Sequence, residues 1–232
     1  MNNISVLPLI FFVVFFTILP STGDGQKPNS DSESTKTIKM PSPAKKSDLS
    51  IEEALLKRMS IRKYKDKPLT LTEISQLLWS AQGITNQRGF RTAPSAGALY
   101  PLEIYVVVNK TEGLSAGIYK YIPVQHELKE IESGDKLTEL TDGALMQTWV
   151  ENSPAVIVIA AVYERTTVKY GNRGIRYVHM EVGSAAQNIY LQALSLNIGT
   201  TFIGAFDDEE VKDVLKLADD EHPLAIMPIG KI

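Results

Sequence analysis

Three helices are predicted by cap patterns and apolar stripes. In a capping box, a Ser or Thr and a Glu three positions later satisfy each other's backbone donors; Ser50 with Glu53 and Thr70 with Glu73 both fit. Apolar residues at helical spacing follow each box. A longer apolar stripe over 177–196 predicts a third helix with one buried side.

Apolar runs bounded by turn residues predict six strands. The run over 155–162 contains no polar residue, as expected of a central strand covered on both faces. Asp207 with Glu210 predicts a further helix. Helices that precede, interrupt and follow the strands indicate an α+β fold with a central, mostly antiparallel sheet flanked by helices. The predicted strands cover 103–109, 117–122, 128–132, 155–162, 200–206 and 224–229.

The start of the chain differs in composition from the rest. Residues 4–20 are almost wholly apolar and small residues follow, so residues 1–23 are either a cleaved signal peptide or an N-terminal membrane anchor. No Lys or Arg precedes the apolar run, which leaves the orientation open. Residues 24–48, rich in Ser, Lys, Pro and Asp, predict a disordered linker before one folded domain over 49–232. The expected location is exported or membrane-anchored, with possible attachment to the membrane through residues 1–23.

Composition narrows the function. A chain of 232 residues with a net charge of −3 indicates one domain with no nucleic-acid partner. The absence of cysteine excludes disulfides, thiolate nucleophiles and iron–sulfur clusters. His126, His179 and His222 are too scattered to predict a metal site.

Basic and hydroxyl side chains alternate directly after the first predicted helix. On an extended backbone Arg58, Ser60 and Arg62 point to one side, where two guanidinium groups and a hydroxyl suit a phosphate. The alternative is that these cations only complement the dipole at the helix C-terminus.

Two further segments combine small residues with adjacent strands. Residues 92–101 read TAPSAGALYP, and small side chains there let the backbone approach a flat ligand or another chain. Gly204 interrupts an otherwise apolar run, which often marks close approach of a ligand. An ordinary turn and a packing glycine are the structural alternatives.

In this order and at these separations, the motifs resemble the nitroreductase family. The matching segments are Arg-x-Ser-x-Arg at 58–62, Ala-Pro-Ser-x-Gly with a later Pro at 93–101, the helical stretch 183–191, and 199–204. The resemblance covers roughly 51–231. The wording PSAGALYP is similar to the SagB-type branch, which includes dehydrogenases that oxidise azolines in peptides.

The resemblance implies a particular site. FMN would lie at the interface of an obligate homodimer, and backbone donors at the N5 and O4 edge of the ring would stabilise the negative charge of reduced flavin. The residues implied to bind the cofactor are Arg58, Ser60, Arg62 and Lys231 at the phosphate and ribityl chain, Pro94, Ser95, Ala96 and Gly97 from the other subunit, and Ile203 and Gly204 at the ring edge.

The implied activity is that of an FMN-dependent oxidoreductase. Electrons would pass from a reduced donor, NAD(P)H or another, to a small-molecule acceptor in a two-step exchange, without a side-chain nucleophile or a metal. Two other functions stay open. One is a non-catalytic flavin-binding scaffold subunit of a modifying complex, and the other is an azoline-type peptide dehydrogenase.

Arg176 and Tyr177 align with a Lys-Tyr pair that azoline-oxidising relatives use for acid–base chemistry. Arginine stays protonated and is a poor general base, so Arg176 favours a quinone, a nitro compound or another acceptor over azoline oxidation. Tyr177 is either an acid–base residue or a packing aromatic. The segment 144–173, with Trp149 and Tyr170, is predicted to lie over the flavin and select the acceptor.

Overall fold

A seven-stranded sheet lies at the centre of the computed structural model, which describes residues 36–232. The strands are β1 (Thr37–Lys39), β2 (Leu69–Thr70), β3 (Leu102–Val108), β4 (Thr111–Glu112), β5 (Gly117–Ile122), β6 (Glu127–Ser133), β7 (Ala155–Val162), β8 (Ile198–Thr200) and β9 (Glu221–Lys231). The order in the sheet is β1-β6-β5-β3-β7-β9-β8, and neighbouring strands are antiparallel. A separate short pair, β2 and β4, is parallel.

Helices cover both faces of this sheet. They are α1 (Ile51–Lys57), α2 (Leu71–Gln82), α3 (Leu137–Gly143), α4 (Thr148–Glu151), α5 (Glu164–Tyr170), α6 (Arg173–Ser195) and α7 (Asp208–Leu215), with a single 3₁₀ turn at Ala96–Ala98. The predicted α+β fold with a mostly antiparallel sheet is confirmed.

Two hydrophobic cores lie on opposite faces of β7. Ile157 and Ile159 pack into the core formed with α2 and α6, whereas Val156 and Val158 pack into the core formed with α3 and α7. Every residue of β7 is buried, as its uninterrupted apolar sequence predicted.

The predicted helix starts are confirmed by their hydrogen bonds. The Ser50 hydroxyl accepts from the Glu53 N–H at 3.1 Å, and the Thr70 hydroxyl accepts from the Glu73 N–H at 3.3 Å, with both glutamates reaching back to complete the box. The Asp207 carboxylate caps α7 by accepting from the Glu210 N–H at 3.0 Å, but the predicted return bond from Glu210 does not form, because the Asp207 N–H donates to the Gly143 carbonyl at 2.8 Å. Local side-chain chemistry therefore sets where these helices begin.

The folded region begins earlier than the predicted boundary at residue 49. Within the predicted linker, β1 pairs with β6, and Met40 is 4% exposed in the core. The Gln76 side chain holds the backbone of Ala44 through two hydrogen bonds of 2.7 and 3.1 Å. The prediction of disorder was therefore wrong for 36–48, because tertiary contacts order a segment whose composition is polar.

Other differences follow from packing. The strand predicted over 200–206 is shorter and earlier, at Ile198–Thr200, with Ile203 in an isolated bridge. Helix α6 begins four residues before the predicted start at residue 177. The predicted signal or anchor segment and the start of the predicted linker lie outside the described residues. Within residues 36–232, no helix is both long and apolar enough to cross a membrane.

Candidate functional site

The segment that follows α1 lies against the edge of the sheet at β8 and β9. The Ile61 N–H donates to the Thr200 carbonyl at 2.9 Å. Ile61 and Tyr64 cover Gly199 and Gly230, which face each other across β8 and β9. A Cβ at either glycine would lie 2.5–2.6 Å from these side chains, so only glycine permits this close approach.

This segment carries the three residues predicted to bind a phosphate. The Ser60 hydroxyl lies 3.1 Å from the Tyr190 hydroxyl. The Arg58 guanidinium lies 5.2 Å from the ring centre of Tyr190, and the Arg62 guanidinium lies 5.4 Å from that of Trp149. We call Arg58, Ser60 and Arg62 the arginine cluster.

The charge of the arginine cluster is not neutralised by the part of the chain that the structure describes. Neither Arg58 nor Arg62 forms an ion pair there; Arg58 is half-buried and Arg62 is exposed. Guanidinium groups stacked on rings keep their N–H donors available, so this cluster can bind a phosphate through charge-assisted hydrogen bonds.

Of the two predicted backbone donors, only Gly204 has an available N–H. The Ile203 N–H donates to the Ile226 carbonyl at 2.9 Å, and the Ile226 N–H donates back at 3.0 Å. The predicted role of the Ile203 amide was therefore wrong, because β9 uses that donor. Gly204 is exposed, and its N–H donates to no acceptor in residues 36–232.

Lys231 has a different partner from the one predicted. Its ammonium group forms an ion pair with Glu73, and both side chains are largely buried. Since Glu73 also completes the capping box of α2, the Lys231 charge is already compensated at the start of that helix. The prediction of a phosphate contact from Lys231 is therefore not supported by its position.

The second predicted segment forms a hydrogen-bonded loop, which we call the Ser95 loop (residues 94–97). The Ser95 hydroxyl accepts from the Tyr100 N–H at 2.9 Å. Gly97 has a φ of +63°, and a Cβ there would lie 2.8 Å from the Tyr170 hydroxyl oxygen. Left-handed backbone together with this contact explains the requirement for glycine.

The Ser95 loop forms one wall of a surface groove of about 270 Å³. The Tyr177 ring lies edge-on to Tyr170, with ring centres 5.2 Å apart. Arg176 is exposed and does not line the groove, so only Tyr177 of the predicted catalytic pair lies there. The lining residues are Pro94, Ser95, Ala96, Tyr177, Met180, Glu181 and Ser184.

Glu181 is a site residue that the sequence reasoning missed. It is 3% exposed and follows Val178 at helical spacing on the buried stripe of α6. Burial raises the pKa of Glu181 to about 7, against the opposing effect of hydrogen bonds from Ser95 and Gln82. An acidic residue in an otherwise apolar stripe was the signal that could have identified it.

Within one chain the arginine cluster and the Ser95 loop contact different parts of α6. Tyr190 contacts the cluster, whereas the groove beside the Ser95 loop is lined by α6 residues from Tyr177 to Ser184. At about 1.5 Å per residue, the step from Ser184 to Tyr190 corresponds to about 9 Å along the helix. A single subunit therefore presents two parts of the predicted site at different positions along one helix.

The segment 144–173 was predicted to lie over the flavin, but it does not form one loop over one site. It contains the central strand β7, which separates its two ends. Trp149 lies beside Arg62 in the arginine cluster, whereas Tyr170 lies beside the Ser95 loop. The predicted acceptor segment thus divides between the two parts.

A family profile, related sequences and known structures all point to the nitroreductase family. The nitroreductase family profile matches residues 55–231. A protein of Methanocaldococcus jannaschii named as a nitroreductase is 50% identical over 184 residues, covering 79% of this chain and 92% of that protein. The microcin B17-processing protein McbC of Escherichia coli is 27% identical over 156 residues, covering 64% of this chain and 57% of McbC. A crystal structure described as a nitroreductase from Ralstonia eutropha superposes with a TM-score of 0.73 at 28% identity, covering 84% of this chain and 89% of that one.

The α+β sheet and its likeness to known structures place the chain among oxidoreductases with a flavin-type fold. Within that class, the chain belongs to the nitroreductase family, whose members are generally flavin-dependent enzymes. Similarity to McbC and to the trifolitoxin operon protein TfxC fits the SagB-type branch that the middle motif resembled.

Proposed function

We propose that this protein is an FMN-dependent oxidoreductase that passes electrons from a reduced donor to a small-molecule acceptor in a two-step exchange. The observation that carries the proposal is the arginine cluster, which has two guanidinium groups without an anionic partner in the described range, held against a sheet edge. Membership of the nitroreductase family supports it.

The residues present fit FMN. Arg58, Ser60 and Arg62 offer donors for a phosphate and a ribityl chain, and the exposed Gly204 N–H offers a fixed donor to a ring edge. Bound FMN would supply two-electron redox chemistry. The chain's own contribution is to bind the phosphate, hold the ring and fix a donor where negative charge develops.

A homodimer follows as part of the proposal. The arginine cluster and the Ser95 loop of one chain contact different parts of α6, so a second copy can bring its Ser95 loop to the first copy's arginine cluster. Helix α1 and the segment after it also expose apolar side chains, with Leu55 56%, Leu56 85% and Met59 61% exposed. Apolar side chains at this exposure are typical of residues that a partner covers.

The test is flavin binding by the full-length protein. We expect the purified protein to release FMN, identified by chromatography, at about one per subunit. Arg62→Ala should weaken FMN binding about 10- to 100-fold, since a hydrogen bond to a charged group contributes about 1.5–3 kcal/mol. Lys63→Ala is the matched control, because it removes an adjacent exposed charge outside the cluster. A protein that neither contains nor takes up FMN, or equal effects of the two substitutions, would contradict the proposal.

A second candidate function is oxidation of azoline rings in a peptide. Two observations favour it: the similarity to McbC and the position of Tyr177 in the groove beside the Ser95 loop. Arg176 argues against it, because an exposed guanidinium cannot act as the base. Mass spectrometry of an azoline-containing peptide incubated with the flavin-loaded protein distinguishes the two, since oxidation lowers the peptide mass by two hydrogens.

We also propose that residues 1–23 direct the protein to export or anchor it to a membrane. The apolar run at 4–20 supports this. Fractionation of cells producing the full chain, compared with a chain starting at residue 24, tests it. Equal distribution of the two proteins between fractions would contradict it.

A further inference from the structure

Glu181 is a buried carboxyl group at the edge of the groove. Its side chain lies on the stripe of α6 that faces the core, yet it lines the groove together with Ser95 and Tyr177. Burial of an ionised carboxylate is costly unless cations or several donors surround it. The neighbours of Glu181 therefore determine which protonation state the fold prefers.

The direct partners of Glu181 are neutral. The Gln82 amide nitrogen lies 3.5 Å from a carboxyl oxygen, and Ser95 lines the same groove beside Glu181, where its hydroxyl lowers the pKa of the carboxyl group. Arg91 is the charged group nearest in effect, but its guanidinium donates to the Gln82 amide oxygen at 2.9 Å instead of to Glu181. Gln82 is fully buried and so keeps this cation one residue away.

This arrangement keeps a proton at the groove near neutral pH. Burial raises the pKa of Glu181 to about 7, while Ser95, Gln82 and the charge of Arg91 limit the rise. A carboxyl group in that range can hold a proton and release it under the same conditions, which suits general acid–base work.

The geometry of Ser95 connects Glu181 to the groove. A serine hydroxyl has two acceptor positions and one donor. The Tyr100 N–H occupies one acceptor position at 2.9 Å, which leaves the other for a protonated Glu181 in the same groove wall. The Ser95 O–H is then left to donate into the groove, because both of its acceptor positions are used.

We propose that Glu181, through Ser95, supplies the proton that acceptor reduction consumes; this rests on the proposed oxidoreductase function. Reduction of a quinone to a hydroquinone takes two electrons and two protons, of which bound reduced FMN would supply the two electrons and one proton. The Ser95 hydroxyl gives the second proton to the quinone oxygen, Glu181 replaces it on Ser95, and water then reprotonates Glu181. Glu181 is thus a positioning residue that stores a proton behind Ser95.

The first test needs no flavin. Infrared difference spectra of the flavin-free full-length protein between pH 5 and 9 report the C=O stretch of a protonated carboxyl group. We expect a band that disappears around pH 7 and is absent in Glu181→Gln. Glu221→Gln is the control and should leave the band unchanged. Glu221 is about as buried as Glu181, but hydrogen bonds from Lys120 and Tyr105 outweigh burial and hold its pKa below the usual value. Ser95→Ala should move the transition to higher pH, since it removes a hydrogen bond that lowers the pKa of Glu181.

The second test follows kcat/KM for quinone reduction against pH in flavin-loaded proteins of matched flavin content. In the wild type we expect the rate to fall above about pH 7, and in Glu181→Gln we expect a rate about 100-fold lower without that fall. No titrating band, or an unchanged fall in Glu181→Gln, would overturn the role of Glu181 alone. A wild-type protein that shows the band but reduces no acceptor would instead overturn the proposed function.

Discussion

Substitution of Lys120 tests how a buried charge network supports the sheet. The Lys120 ammonium lies 3.2 Å from Glu103 and forms a second ion pair with Glu221. The Glu221 side chain is 5% exposed and also accepts from the Tyr105 hydroxyl at 2.5 Å. These contacts join β3, β5 and β9, so we expect Lys120→Met to leave a buried carboxylate without its cation.

The expected loss is large for a single substitution. Removal of one partner of a buried ion pair costs about 3–5 kcal/mol. Lys120 is 21% exposed and Tyr105 still donates to Glu221, which places Lys120→Met at the lower end, about 3 kcal/mol. For a domain of this size that corresponds to a fall in Tm of about 6–12 °C. Urea unfolding followed by circular dichroism measures the loss in free energy, and thermal unfolding measures the fall in Tm.

The destabilisation caused by Lys120→Met should depend on pH through Glu221. Burial alone would raise the pKa of Glu221, but hydrogen bonds from Lys120 and Tyr105 hold it below its usual value. The stability that this carboxylate contributes is therefore present above the unfolded-state pKa and is lost as pH falls through the folded-state pKa. Hence the defect of Lys120→Met should be largest at pH 7 and shrink towards pH 4, where Glu221 in the variant becomes protonated.

Two further variants test whether the unpaired Glu221 carboxylate causes the loss. Glu221→Gln combined with Lys120→Met should be more stable at pH 7 than Lys120→Met alone, because the unpaired charge is gone. Lys39→Met removes an exposed ion pair with Glu127 and should change stability by less than about 0.5 kcal/mol. A Lys120→Met protein as stable as Lys39→Met, or a defect of equal size at pH 4 and pH 7, would refute the account.

Three further outcomes are expected. Burial raises the pKa of Glu181 to about 7, so the stability that the protonated group contributes in the wild type is lost as pH rises through 7. The free energy of unfolding of Glu181→Gln, measured with urea, should therefore rise by about 2 kcal/mol relative to that of the wild type between pH 5 and pH 8. The absence of this relative rise would contradict the raised pKa. Gly97→Ala should lower the free energy of unfolding by about 1–2 kcal/mol, because residue 97 has a φ of +63°. Adding Tyr170→Phe to this variant should recover part of the loss, since it removes the oxygen that would lie 2.8 Å from the new Cβ. No recovery would argue against that contact. Ser75→Ala should cost about 0.5–1.5 kcal/mol, because the half-buried Pro41 carbonyl loses its 2.6 Å hydrogen bond from Ser75 but keeps the contact with His126 Nε2 at 2.9 Å. The substitution should also speed proteolysis within 36–48; an unchanged cleavage rate would show that this bond does not hold the segment.

Much of the fold could be predicted because its signals are local. The capping boxes at Ser50 and Thr70 set helix starts through side chains three residues apart, and the continuous apolar run of β7 indicates burial on both faces. The order of residues 36–48 was not predictable in this way. It depends on pairing with β6 and on Gln76, which are distant in sequence.

The candidate site divides along the same line. The alternation of Arg58, Ser60 and Arg62 predicted side chains on one side of the chain. In the structure Arg58 and Ser60 both contact Tyr190, whereas Arg62 lies over Trp149, and their joint binding of a phosphate stays a prediction. The positions of Lys231 and Ile203 could not be inferred, because their partners Glu73 and Ile226 are joined to them only by the folded chain.

Motifs and periodicity are properties of neighbouring residues, so they were enough to indicate the family, the helix starts, the central strand and the residue types available at the site. Three features emerge only from the folded chain: which donors are already used, that the arginine cluster and the Ser95 loop contact different parts of α6, and that Glu181 is buried beside neutral partners. Hydrogen-bond satisfaction and desolvation depend on every neighbour in space, and most of those neighbours are remote along the chain.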